Sequence, residues 1–156
     1  MTLPRINGIH HLKFAVSDLD RSLAFYEKSL GARRIEKFDH RRPDGVLFAY
    51  ILEVDGLGTH LELRLSPEQA ASEAGRDHVT LTVDTHDELK AWEAHFESVG
   101  VSHSPVLTGL VGWVLVLEDP DRRRIRFYTR ETHPMGVGVS SDPYWLGNDH
   151  ESPKDS

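Results

Sequence analysis

The chain contains no cysteine among its 156 residues. Disulfides, thiolate metal sites and thiol nucleophiles are therefore all excluded. No apolar run approaches the roughly 20 residues that a membrane-spanning helix needs. The opening "MTLPRING" lacks the apolar core of a signal peptide. A cytoplasmic protein without a membrane partner is the expectation. Positive charge is also in short supply, since the formal net charge is −7. That balance argues against binding a phosphate backbone, so no nucleic acid partner is expected. The exception is local: Arg122, Arg123, Arg124, Arg126 and Arg130 crowd into "EDPDRRRIRFYTRE". These arginines are interleaved with apolar residues, which reads as a solvated turn followed by alternate positions of a strand.

What is present is a soluble-type composition, 38% hydrophobic and 28% charged, in a length that suits one domain. A weak internal repeat organises it. "HLKFAVSDLDRSLAFYEKSLG" and "HVTLTVDTHDELKAWEAHFESVG" both begin with His, run as an apolar strand to Val, turn through acidic residues, continue as an amphipathic helix and stop at Gly. Such repeats mark similar supersecondary units.

The first helix is expected to start at Ser17 or Asp18 and to bury Leu19, Leu23, Tyr26 and Leu30, with Gly31 in the left-handed closing position. The second carries a capping box in Thr85 and Glu88 and a stripe of Leu89, Trp92, Phe96 and Val99, stopped by Gly100. Three strands follow each helix. The fold class is thus α+β: two βαβββ modules forming a curved mixed, mostly antiparallel sheet with helices on its convex face. The modules are placed at about residues 7–65 and 76–130 of a single domain spanning 1–131. Residues 66–77 link them as a loop or short helix, and 132–156 form an irregular extension with "PYW" as its sticky point.

Strand alternation then sorts the side chains. Leu12, Phe14, Leu61, Leu63, Val79, Leu81, Ile125 and Phe127 fall on apolar faces that the helices cover. His11, Glu62, His78 and Arg126 fall on the opposite, polar faces, which a curved sheet would gather into a cup. Two neutral imidazoles and one carboxylate suit Zn, Ni, Fe or Mn and leave coordination positions open for chemistry. The plainer alternative makes both histidines ordinary edge-of-strand residues and pairs Glu62 with Arg64 or Arg126.

The opening "HHLKFAVSDLDRSLAFYEKSLG", the repeated strand–helix–three-strand pattern and the closing "EDPDRRRIRFY" resemble the vicinal oxygen chelate superfamily. That family holds glyoxalase I, extradiol dioxygenases, fosfomycin-resistance thiol transferases, methylmalonyl-CoA epimerase and bleomycin-sequestering proteins. The resemblance implies metal ligands at His11 and Glu62 in the first module and at His78 and position 126 in the second. Position 126 departs from the pattern: Arg stands where glyoxalases carry Glu, which argues against glyoxalase I chemistry and against a standard extradiol dioxygenase or fosfomycin enzyme. The resemblance implies either of two activities. One is a metal-dependent lyase, isomerase or dioxygenase acting on adjacent oxygens, with Glu62 and Arg126 catalytic and with Arg126, Tyr128 and Trp113 on the substrate. The other is a metal-free protein that sequesters a small molecule, with Trp113, Phe48 or Tyr50 as stacking surfaces. A homodimer is implied in both, and the Tyr144–Trp145 region is expected to dock across the partner.

Overall fold

The structure is a computed structural model that describes residues 1–148. The chain divides into two compact units, Met1–Ala74 and Gly75–Ser156.

In the first unit, β1 (His11–Val16) leads to α1 (Leu19–Leu30). The helix starts where expected: Asp18 is extended, and its side chain accepts the backbone N–H of Arg21 at 2.9 Å. It ends at Gly31, whose φ of 65° is the left-handed value that glycine adopts without strain. Its buried face is Leu19, Ser22, Phe25, Tyr26 and Ser29, so the stripe is turned from the predicted one. Leu23 and Leu30 are only half-buried, because Phe25 takes the place facing the sheet.

Short strands β2 (Arg33–Arg34) and β3 (His40–Arg41) precede the longer β4 (Leu47–Glu53) and β5 (His60–Leu65). The sheet order is β1-β5-β4-β2, with β3 also paired to β4. The β1–β5 pair is parallel and the other pairs antiparallel. Helix α2 (Pro67–Ser72) follows, within the stretch foreseen as a loop or short helix.

The second unit repeats the plan with β6 (Val79–Val83), α3 (His86–Ser98), β7 (Leu107–Thr108), β8 (Trp113–Glu118) and β9 (Arg124–Thr129). Its order is β6-β9-β8-β7, again with one parallel pair, β6–β9. The sequence repeat is therefore a repeat of topology, expressed as two separate sheets rather than one. The capping box is formed: Thr85 Oγ1 accepts the Glu88 N–H at 3.1 Å, while the Glu88 carboxylate accepts the Thr85 N–H at 3.2 Å.

The predicted core is largely where it was expected. Phe14, Leu61, Leu63, Ile125 and Phe127 are buried. Leu12, Val79 and Leu81 are half-buried instead, since β1 and β6 each have a neighbour strand on one side only. In the second unit Phe127 packs between Trp92 and Phe96 of α3, with ring centroids 5.1 and 5.6 Å away. In the first unit α1 locks to the sheet through a hydrogen bond from Tyr50 Oη to Asp20 at 2.6 Å. That bond, then burial, raises the pKa of the Tyr50 phenol.

The "DPDR" turn sets up β9. The Asp119 carboxylate accepts the N–H groups of Asp121 and Arg123, both at 2.9 Å. Arg122 takes a φ of 63° at the tip, a conformation a non-glycine residue holds only when its surroundings insist. Here the Arg122 N–H donates to Asp119 O at 2.9 Å, and its carbonyl accepts the Gly75 N–H at 2.7 Å.

Candidate functional site

Each sheet has one face under a helix and one without. In the first unit the uncovered face follows from strand register. Glu62 lies opposite Lys13 on β1 and Ile51 on β4, while His40 lies opposite Ala49, which in turn is opposite Arg64. Residues directly opposite share a face. His11, Glu62, Arg64 and His40 are thereby collected.

Glu62 is the centre of this group. It is only 2% exposed, an uncommon state for a carboxylate, and it is buried among partners. Arg64 Nε donates to Oε2 at 2.8 Å, so the plainer reading of the sequence is realised at that oxygen. The other oxygen, Oε1, faces two imidazoles, His40 Nε2 at 3.4 Å and His11 Nε2 at 3.9 Å. Both rings use their other nitrogen elsewhere. His40 Nδ1 lies 2.9 Å from the carbonyl of Phe38 and donates to it, because a carbonyl cannot. With Nδ1–H so engaged, the neutral form of the ring has its lone pair at Nε2. His11 Nδ1 meets His10 Nδ1 at 3.0 Å, a contact in which one of the two carries the hydrogen.

Lone pairs on Nε2 and on a carboxylate oxygen repel unless a proton or cation stands between them. An imidazole whose Nδ1–H is anchored to a carbonyl is the usual form of a metal-ligating histidine. Donors bound at about 2.0–2.2 Å to one cation lie roughly 3–4 Å apart, the range seen here. In donor type, two imidazoles and a carboxylate, His11, His40 and Glu62 suit a divalent cation. As they stand they do not close round a common centre, and among the described residues no group of three or more His, Cys, Asp or Glu forms a metal site. Sequence alternation found His11 and Glu62. It missed His40, whose two-residue strand carries no periodic signal.

The uncovered face of the second unit is different. Arg124, Arg126 and Tyr128 lie opposite Glu118, Val116 and Val114 on β8, and Arg126 lies opposite Thr80 on β6. Arg126 Nε is paired with the Asp77 carboxylate, and Nη2 donates to the carbonyl of Leu146 at 3.2 Å. His78 is exposed, next in the chain to that same Asp77. The Tyr128 hydroxyl accepts the N–H groups of Val111 and Gly112 at 3.1 and 3.2 Å and so holds the turn before β8. Glycine is required beside it, since a side-chain carbon on Gly109 would lie 2.4 Å from that oxygen.

Trp113 does not join this group. The pairing of Val114 with Tyr128 puts Val114 on the arginine face and Trp113 on the other. There the indole stacks on His86 at the start of α3, with centroids 4.1 Å apart and planes at 5°. Tyr50 likewise points to α1 rather than to the uncovered face of its sheet. Only Phe48, among the expected stacking surfaces, contacts the polar group: its ring lies 5.3 Å from the Arg64 guanidinium and 5.7 Å from the His40 ring.

Both sheets pair their first strand in parallel with their last and follow the first strand with a helix. The family model for the Glyoxalase/Bleomycin resistance protein/Dioxygenase superfamily matches residues 8–127. The chain belongs to that superfamily. A curated relative from Bacillus subtilis (strain 168), named "Putative ring-cleaving dioxygenase MhqA", is 29% identical over 139 residues. The match covers 86% of this chain and 44% of MhqA, so the chain spans less than half of that relative. Among solved structures, the antibiotic binding protein TnmS3 from Streptomyces sp. CB03234 superposes with a TM-score of 0.66 at 19% identity, covering 83% of this chain and all of TnmS3 (100%). The fosfomycin resistance protein FosX from Listeria monocytogenes, complexed with Mn(II) and 1S,2S-dihydroxypropylphosphonic acid, superposes with a TM-score of 0.63 at 17% identity, covering 80% of this chain and 93% of FosX. These two likenesses establish the fold. Among the described residues no helix is long and apolar enough to cross a membrane.

Proposed function

We propose that this superfamily member is a metal-dependent enzyme acting on a small molecule with adjacent oxygens, and that Glu62, His11 and His40 hold the cation in the first unit. One observation carries the reading: a buried carboxylate oxygen faces the Nε2 atoms of two imidazoles whose Nδ1 atoms are already engaged. When bound there, a divalent cation supplies a Lewis acid that polarises a substrate oxygen. The chain's own residues do the rest. Arg64 fixes the rotamer of Glu62 by holding Oε2, which keeps Oε1 turned toward the histidines. The Phe38 carbonyl fixes the tautomer and plane of His40. Similarity to MhqA favours ring-opening oxygenation over isomerisation as the reaction class.

A second reading has its own observation. Arg64 already neutralises Glu62, which allows a metal-free site of the kind that binds rather than transforms its ligand. Calorimetric titration of Mn²⁺, Zn²⁺ and anaerobic Fe²⁺ into tag-free protein separates the two. One equivalent bound by the wild type, weakened about 100-fold by Glu62→Gln and 10- to 100-fold by His40→Ala, supports the enzyme. Binding unchanged by Glu62→Gln, or no binding by the wild type, leaves the sequestering reading. The His78→Ala protein is the arm that asks whether the second unit supplies a donor. In either reading two copies of the chain pair as a homodimer, which light scattering at tens of micromolar tests.

A further inference from the structure

The uncovered face of the second unit is occupied by the chain's own C-terminal segment. Trp145 and Leu146 pack on Leu107, Val114 and Val116, beside Tyr128. Arg124 Nη1 donates to the carbonyl of Tyr144, and Arg126 Nη2 to that of Leu146. The Arg124 guanidinium also lies 4.4 Å from the Tyr144 ring centre and 5.4 Å from that of Trp145. The Tyr144 hydroxyl donates to Glu118 at 3.0 Å. Within this chain Tyr144 and Trp145 dock on their own unit, where two guanidiniums and an apolar floor are within reach.

What the segment offers these arginines is incomplete. Two cationic donors are given neutral carbonyl oxygens, where a carboxylate would add the attraction of an ion pair. Arg124 is 8% exposed, and its buried Nε has no hydrogen-bond partner, with Glu118 Oε2 standing off at 3.4 Å. The charged groups facing the pair are Glu118 beside Arg124 and Asp77 beside Arg126. The donors now turned to residues 144 and 146 are what remains for a ligand.

We propose that residues 142–146 are a displaceable internal ligand, and that the site beneath them takes an aromatic carboxylate. The ring replaces Trp145 on Leu107, Val114 and Val116. The carboxylate oxygens replace the Tyr144 and Leu146 carbonyls on Arg124 and Arg126. This site is built from residues of the second unit alone.

The probe is 2-naphthoate, with naphthalene-2-carboxamide as the uncharged control. A segment that closes the site most of the time lowers apparent affinity by the fraction of open molecules. The chain ending at Ser141 should therefore bind 2-naphthoate roughly tenfold tighter than the full chain. In the full chain, saturating 2-naphthoate should speed chymotrypsin cleavage after Tyr144 and Trp145, and the carboxamide should not. If the shortened chain does not fold, the full chain carrying Trp145→Ala and Leu146→Ala should show the same gain in affinity. Equal affinities with and without the segment, or cleavage unchanged by 2-naphthoate, overturn the proposal and make the segment fixed structure. Equal effects of naphthoate and carboxamide overturn the role given to Arg124 and Arg126.

Discussion

The uncovered faces of the two sheets share a strand order and differ in nearly everything else. In the first unit the face is built round an acidic group, Glu62, with two imidazoles about it. In the second it is built round cations, Arg124 and Arg126, and a segment of the chain lies over it. Backbone topology follows the shared pattern of apolar alternation, helix caps and glycine stops. Site chemistry follows single residues at equivalent places: Glu62 and Arg126 occupy matching positions on the last strand of each module. One topology therefore carries two faces of opposite charge.

The largest expected effect lies in the second unit's core, which depends on one aromatic interlock. Phe127→Ala removes a buried ring from between Trp92 and Phe96 and should cost about 3–5 kcal/mol in urea unfolding. Loss of less than about 1 kcal/mol would show that α3 repacks freely, and that the sheets differ in more than their uncovered faces.

Next comes the charge contrast itself. Arg64→Leu leaves the buried Glu62 carboxylate without its nearest cation and should destabilise the protein by about 1–3 kcal/mol. Arg64 is itself partly exposed, which keeps the figure at the low end. Added Zn²⁺ should restore most of the loss if the metal reading holds. No recovery counts against a cation at Glu62.

Helix caps test what the units share. Thr85→Ala removes the side-chain half of a capping box, leaving the backbone N–H of residue 85 on Glu88, and should cost about 1 kcal/mol. Asp18→Asn keeps an acceptor for the Arg21 N–H and should cost only a few tenths, read from the same unfolding curves.

The smallest effect is one of pH, and it is confined to the second unit. His133 directs Nδ1 to the carbonyl of Pro134 at 3.0 Å and Nε2 to that of Gly109 at 2.8 Å. Both bonds need a donor, so these carbonyls, Pro134 first, raise the histidine's pKa above its ordinary value of 6.5. A raised folded-state pKa places the stabilisation below the unfolded value, and it is lost as pH rises through the folded one. Stability should therefore be greatest below about pH 6.5 and decline above it. His133→Gln should flatten that slope in thermal melts between about pH 5.5 and 8. The Trp113 ring lies 5.6 Å from His133 and offers a fluorescence readout of the same titration.

Much of this was legible in the residues. Local signals act over a few positions, so caps at Asp18 and Thr85, stops at Gly31 and Gly100, and the faces of Glu62 and Arg126 could be read directly from spacing. Long strands of period two placed Phe14, Leu61, Leu63, Ile125 and Phe127 inside for the same reason. The rest depended on contacts between segments far apart in the chain. His40 reaches Glu62 from a two-residue strand with no period to detect, and only the pairing of β3 with β4 brings it there. Trp113 and Tyr50 are aromatic in either reading, and only register decided that they face the helices. Residues 142–146 carry no regular pattern at all, yet two arginines and an apolar floor hold them against the second sheet. Sequence alone determined where the helix caps, the glycine stops and the longer strands fall, because those choices are set by neighbours along the chain. Tertiary structure alone decided which partner each buried charge would find, because a carboxylate or guanidinium accepts whichever complement the fold brings within about 4 Å.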